Sequence, residues 1–358
     1  MILLLALACT APESGADTGH DAAPDTTHGV LVTTDYVAGS VARLGLDGTI
    51  APDLLPTGGD SIVLAEGNRL FLLDRMANVV RAYDDGALDV PAWETNVGDG
   101  ANPTGLATCD GKVFVARLLL PSMAVLDAAT GTVLGEVDLR AFADADGAPE
   151  ADSVLAIGGA VWVTLNQLDY LRTYRSTDGS GTLVRVDCST WAVSASWDVG
   201  PNPHAIRIGT GPRIALFGGD YFDADGAASL DGRLQVFDTA TQTLGPPVFT
   251  EAEAGGNLGN VVLRDDGRGI LTLDDGTRWS AACFDLGTAT LGEAWDAGAF
   301  IPQAVLDPDG AAWLLQRPPY AGEAGELGAV RVDLDACTRA PAVRTRLPPY
   351  SLAFVVPA

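Results

Sequence analysis

An all-β ring of repeated four-stranded antiparallel units is the class this 358-residue sequence predicts, and three observations predict it. The first is a hairpin written several times. GPNPHAIRIGTGPRIALFGG (200–219) follows the grammar of DGANPTGLATCDGKVFVA (99–116): an Asn-Pro turn, a short apolar strand, a tight Gly or Asp turn, and a second strand running into a loop. Looser copies begin at Gly58, Pro149, Asn257 and Ile301. The second observation is a strand pair after each hairpin, as in SMAVLDAATGTVLGEVDL. An alternating apolar run reaches an aspartate (Asp127, Asp187, Asp238, Asp285, Asp333), turns on Thr, Ser or Gly, and returns. The third is that the ends complement each other. HGVLVTTDYVAGSVARLGLDGTIAPDLL (28–55) supplies three strands without an innermost one, and PPYSLAFVVPA (348–358) supplies a single strand.

Hairpin plus pair makes a four-stranded unit. The markers Asp60, Thr104, Asp152, His204, Gly259 and Gln303 recur at intervals of 44, 48, 52, 55 and 44 residues. That period is a propeller blade. Six internal blades and one blade shared by the two ends predict a seven-bladed β-propeller over residues 28–358, closed so that neither terminal strand leaves an open edge.

Composition agrees with a large folded body and narrows its partners. Gly 42, Pro 21 and 47% hydrophobic residues describe a turn-rich chain with ample core. Asp+Glu 47 against Lys+Arg 21 gives a net charge of −26, and Lys112 is the single lysine. Such a surface repels phosphate backbones and anionic headgroups, so nucleic acid is excluded as a partner and cations or basic surfaces are favoured.

Ahead of the body, MILLLALAC is an apolar run too short to span a bilayer. It resembles a bacterial lipoprotein signal (1–9) in which Cys9, after the small Ala8, is lipidated and becomes the new N-terminus; a cleaved secretory signal or a buried N-terminal strand is the alternative. Residues 10–27, rich in Pro, Gly, Thr and Asp, read as a disordered tether, with His20 and the adjoining His28 as solvated spacers. The expected location is the bacterial cell envelope, as an outer-membrane lipoprotein on either side of that membrane. It would meet the membrane through the lipid alone, as a monomer.

The register exposes candidate sites. The first strand of each blade lines the central channel, so the marker positions form one mouth: Asp60, Thr104, Asp152, His204, Gly259, Gln303 and, from the closing blade, Tyr350. This polar ring can hold a small ligand or cation, or simply water. Two acidic loops, DADGAPEAD (Asp144, Asp146, Asp152) and DADGAASLD (Asp223, Asp225, Asp231), resemble the start of calcium loops, where alternating carboxylates converge on a hard cation. Neither has the glutamate at position twelve that completes an EF-hand, and Asp-Gly turns also arise without metal. Ca²⁺ is the one cofactor they suggest. Cys109, Cys188, Cys283 and Cys337 allow three disulfide pairings. The first two fall in adjacent blades, as do the last two, which points to 109–188 and 283–337, with four separate buried thiols standing equally as the alternative.

Asn-Pro, strand, Asp-Gly-Lys, strand over residues 102–116 resembles the YVTN-type repeat of seven-bladed propellers, similar in style to NHL and lactonase-like propellers. The resemblance covers residues 28–358 as an architecture, and only the blades at 102 and 202 carry the motif well. It implies, as one function, a metal-dependent lactonase-like hydrolase at the channel mouth. Such a site needs Glu, Asn and Asp on one metal, and the mouth offers Asp60 and Asp152 without a glutamate. TLDDGTRW (272–279) approaches the Asp-box of sialidase-like propellers, which is itself a turn. No G-x-S-x-G, H-E-x-x-H or phosphate-binding glycine loop occurs. The primary expectation is therefore a non-enzymatic binding or scaffold protein, presenting long loops at 141–152, 168–181, 220–232 and 317–328 to an envelope protein, a glycan or a small ligand.

Overall fold

The structure is a computed structural model that describes residues 27–356 apart from 170–172, 174, 177–178, 224, 299 and 319–327. The signal, Cys9, His20 and the tether up to residue 26 lie outside the described residues, as does most of the loop at 317–328.

Seven antiparallel sheets form a seven-bladed β-propeller. From the inner to the outer strand, blade 1 comprises Ser61–Glu66, Arg69–Asp74, Val79–Asp84 and Trp93–Asn96. Blade 2 spans Pro103–Asp138, blade 3 Ala151–Asp198 and blade 4 His204–Thr250, each with four strands. Blade 5 spans Asn257–Asp296, its outer edge split into Thr290–Leu291 and Trp295–Asp296 on the same neighbour. Blade 6 spans Ala304–Arg339. Blade 7 takes its inner strand, Pro349–Val355, from the C-terminus and its other three, His28–Thr34, Gly39–Leu44 and Ile50–Thr57, from the N-terminus.

His28 is thus the first residue of a strand, buried and paired with Val355, and not part of a solvated tether. The propeller body therefore contains two histidines, His28 and His204.

The core is divided as the ring requires. Among the described residues seven apolar clusters occur, each joining two neighbouring blades. Alternation along each strand supplies both faces of every sheet. At the junction of blades 3 and 4, Trp162, Trp197 and Phe237 meet with ring centroids 4.9–5.5 Å apart. Cys109 is bonded to Cys188 across blades 2 and 3, and Cys283 to Cys337 across blades 5 and 6.

The recurring aspartates end the third strands for a local reason. Asp127 Oδ1 accepts the amides of Ala129 and Thr130, Asp187 those of Ser189 and Thr190, and Asp238 those of Ala240 and Thr241. Each carboxylate closes an Asx turn and is held below the ordinary aspartate pKa, Asp127 chiefly by the Thr130 hydroxyl, Asp187 chiefly by the Ser189 hydroxyl and Asp238 chiefly by the Thr241 amide. The Asn-Pro turns have a similar cause. Asn102 and Asn202 sit at φ 47° and 41°, a left-handed conformation that asparagine tolerates better than other side chains.

Candidate functional site

The innermost strands face the channel with an unpaired edge, and their backbone groups need partners there. Side chains at the predicted mouth supply several. Thr104 Oγ1 donates to Ala151 O (2.9 Å), Gln303 Oε1 accepts from Leu352 N (2.6 Å), and Ser351 Oγ accepts from Val63 N (3.1 Å). Each bond ties one inner strand to the next. Thr104 and Gln303 are consequently seams between blades.

Gly259 contributes no side chain to the ring, for a packing reason. A Cβ there would lie 2.4 Å from the Trp279 ring. A β-bulge puts both Gly259 and Asn260 opposite Thr272, so Asn260 takes the mouth position; its amide donates to Thr272 Oγ1 and its side chain to Ile301 O. Blade 3 repeats the device: Asp152 and Ser153 bulge opposite Thr164, whose hydroxyl accepts from Ser153 N.

The remaining predicted residues form two charged pairs. Asp60 ends the turn before the inner strand of blade 1, and Arg75 follows the second strand of the same blade, with Arg75 N donating to Asp60 O. Asp60 Oδ1 accepts from Arg75 Nη1 (3.1 Å) and from Tyr350 Oη (3.0 Å), while Arg75 Nε donates to Asn102 Oδ1 (2.9 Å). Burial and the nearby Asp60 charge push the Tyr350 phenol well above its ordinary pKa, so it serves as a hydroxyl donor. The second pair bridges blades 3 and 4, with His204 Nδ1 2.8 Å from Asp152 Oδ2, which also accepts from Ser153 Oγ. Burial opposes the imidazolium, but the Asp152 charge and hydrogen bond outweigh it and raise the His204 pKa above 6.5. Burial likewise opposes the Asp152 carboxylate, and His204 overcomes it, with a smaller contribution from Arg75 that links the two pairs electrostatically. All four side chains remain open to solvent: 28% for Asp60, 18% for Arg75, 19% for Asp152 and 28% for His204.

Three contributors carry no marker in the sequence. Arg75 lines a recess of about 250 Å³ with Asp60, Asn78 and Asn102. Tyr36, from the loop between the second and third strands of the closing blade, lies edge-on to Tyr350 with centroids 5.7 Å apart. Arg317, just past the second strand of blade 6, is 1% exposed and stacks its guanidinium 4.1 Å from the Tyr36 centroid. Its Nε and Nη1 meet no hydrogen-bond partner among the described residues. A larger recess, about 1100 Å³, runs beside the two-residue outer strand of blade 6, remote from the mouth in the blade, and contains Asp296, Arg339 and Arg344.

The two acidic loops differ in geometry. Oxygens of Asp144, Asp146 and Glu150 lie within 4.8 Å of one another. Asp152 is not in that group; its carboxylate is engaged by His204. Asp223, Asp225 and Asp231 do not converge among the described residues. Asp223 Oδ1 accepts the amides of Asp225 and Ala227 in a local turn, and Asp231 Oδ1 turns away to accept from Asp220 N. In the TLDDGTRW stretch, Asp275 accepts from Thr277 and Arg278 as an ordinary hairpin turn.

By sequence, the chain matches no known family and no curated protein. By structure it is similar to the periplasmic gluconolactonase of Pseudomonas aeruginosa (15% identity, 93% of this chain and 100% of that one, TM-score 0.64). It is also similar to the hydrazine synthase of Kuenenia stuttgartiensis (14%, 90% and 100%, TM-score 0.59) and to AztD from Citrobacter koseri (12%, 92% and 98%, TM-score 0.56). At these identities the likeness shows the propeller fold, which carries unrelated functions.

Proposed function

We propose that this chain is an exported binding disc of the bacterial cell envelope, anchored by a lipid on Cys9, whose channel mouth takes a small polyhydroxylated ligand of the sugar or sugar-acid class without turning it over. One observation carries the reading: two solvent-facing pairs of a carboxylate and a basic side chain, Asp60 with Arg75 and Asp152 with His204, stand at one end of the channel beside the partly exposed Tyr36 ring. A hydroxyl donates to a carboxylate and accepts from a guanidinium, and an aromatic face covers the apolar side of a sugar ring. Two inter-blade disulfides support an oxidising compartment.

A hydrolase is the second reading. It is favoured by the His204–Asp152 pair, which has the geometry of an oriented general base, and by the name of the gluconolactonase neighbour. A metal at the mouth does not fit the donors: Asp60 is engaged by Arg75 and Tyr350, Asp152 by His204, and no glutamate joins them among the described residues. The base alone would have to activate water.

Calorimetric titration of monosaccharides, aldonic acids and their lactones separates the readings. Saturable binding of a panel member, lost in an Asp60→Ala/Arg75→Ala double variant that removes both partners of the pair, is expected. Accelerated lactone opening that disappears in His204→Asn would favour the hydrolase, and no binding by any member would overturn both.

A further inference from the structure

Among the described residues, Glu150 is the least explained carboxylate. It immediately precedes the inner strand of blade 3, is 0% exposed, and neither of its carboxyl oxygens has a hydrogen-bond partner. Another buried glutamate shows what a satisfied carboxylate looks like here. Glu251 is also 0% exposed, and its two oxygens accept from Gly232 N and Leu258 N, each at 2.7 Å. Leaving a buried carboxylate without donors is costly. At Glu150 the neighbours make it worse, because its carboxylate shares a space of 4.8 Å with those of Asp144 and Asp146.

We infer that Asp144, Asp146 and Glu150 form a binding site for a hard divalent cation, with Ca²⁺ the best match. The donors are all carboxylate oxygens, which select a hard ion over zinc or copper. Calcium–oxygen distances of about 2.3–2.6 Å place ligand oxygens on opposite sides of the ion about 5 Å apart, the span these groups already have. Three carboxylates offer up to six oxygens, and water can complete the shell. The loop is shaped for convergence: Asp144 Oδ1 accepts from Asp146 N, Asp146 Oδ1 from Ala148 N, and Glu150 is held at φ 48°. The three carboxylate charges repel one another across that space. A divalent ion would offset that repulsion. It would also clamp the segment between blades 2 and 3 two residues before Asp152, bracing one of the mouth pairs.

Terbium luminescence and calorimetry on the full chain after chelator treatment test this. One high-affinity site is expected, with Tb³⁺ displaced by Ca²⁺ and weakly by Mg²⁺, and a rise of several degrees in melting temperature when Ca²⁺ is added. Glu150→Gln, which keeps the side chain's size, and Asp144→Asn should each weaken binding at least tenfold, while Asp223→Asn/Asp225→Asn should leave it unchanged. No Tb³⁺ or Ca²⁺ binding by wild type would overturn the inference. So would binding that survives in Glu150→Gln and disappears in the Asp223/Asp225 variant.

Discussion

His204 owes its chemistry to one neighbour. A partly buried imidazole is ordinarily driven toward its neutral form; here the Asp152 carboxylate 2.8 Å away reverses that and raises the pKa above 6.5. Asp152→Asn removes the reversing charge and leaves burial, so the His204 pKa should fall to 6.5 or below, read from the ring-proton chemical shifts in an NMR titration. An unchanged value would mean that Asp152 is not the cause. The raised pKa also sets a stability window. The contribution of the imidazolium is complete below about 6.5 and is lost as pH rises through the raised folded value. At this scale the sequence pointed to Asp60, Asp152, His204 and Tyr350, because a repeat places equivalent residues by counting. It was silent on Arg75, Arg317 and Tyr36, which sit beyond second strands in loops that differ from blade to blade. Glu150 escaped for another reason. An EF-hand template looks for glutamate at position twelve, whereas this loop has it at position seven from Asp144.

The blades themselves are held by contacts that repeat imperfectly. Disulfides staple two of the seven junctions, closing loops with sequence separations of 79 and 54. The chain-entropy relation assigns about 4 kcal/mol to each, so reduction should lower the guanidinium midpoint markedly while leaving the far-ultraviolet spectrum of the native state unchanged. A midpoint insensitive to reductant would show that the apolar clusters alone determine stability. Blade order, strand pairing and the Asx turns were legible in the sequence, since period-two alternation and the Asp-Thr turn are local signals. Bulges were not. Counting back from the first apolar residue lands on Gly259, and only the strand register reveals that Asn260 fills that place while glycine admits Trp279. The same limit hid the seam role of Thr104 and Gln303, which depends on a backbone group in the next blade.

Closure is the property of the whole molecule. Strand Pro349–Val355 pairs with His28–Thr34 across nearly the full length of the chain, and its side chains join the apolar clusters at both neighbouring junctions. Removing residues 349–358 exposes the edge of His28–Thr34 and opens both junctions, so cooperative unfolding should be replaced by a broad transition with self-association, read by calorimetry and light scattering. Retention of a sharp transition would argue against a closed ring. The seven-fold count was readable from the ends of the sequence, because the C-terminal fragment is the strand that the N-terminal fragment lacks. What the ring encloses was not, since the polarity of a channel mouth follows both from unpaired strand edges and from ligand recognition.

The most direct measurement of the binding account is a crystal structure of the full chain with the tightest sugar or sugar-acid ligand from the titration panel. Ligand density in contact with Arg75 and with Asp60 or Asp152, beside Tyr36, is the predicted result. Ligand seated on the outer recess of blade 6 or on the opposite face, with the mouth pairs untouched, would contradict it.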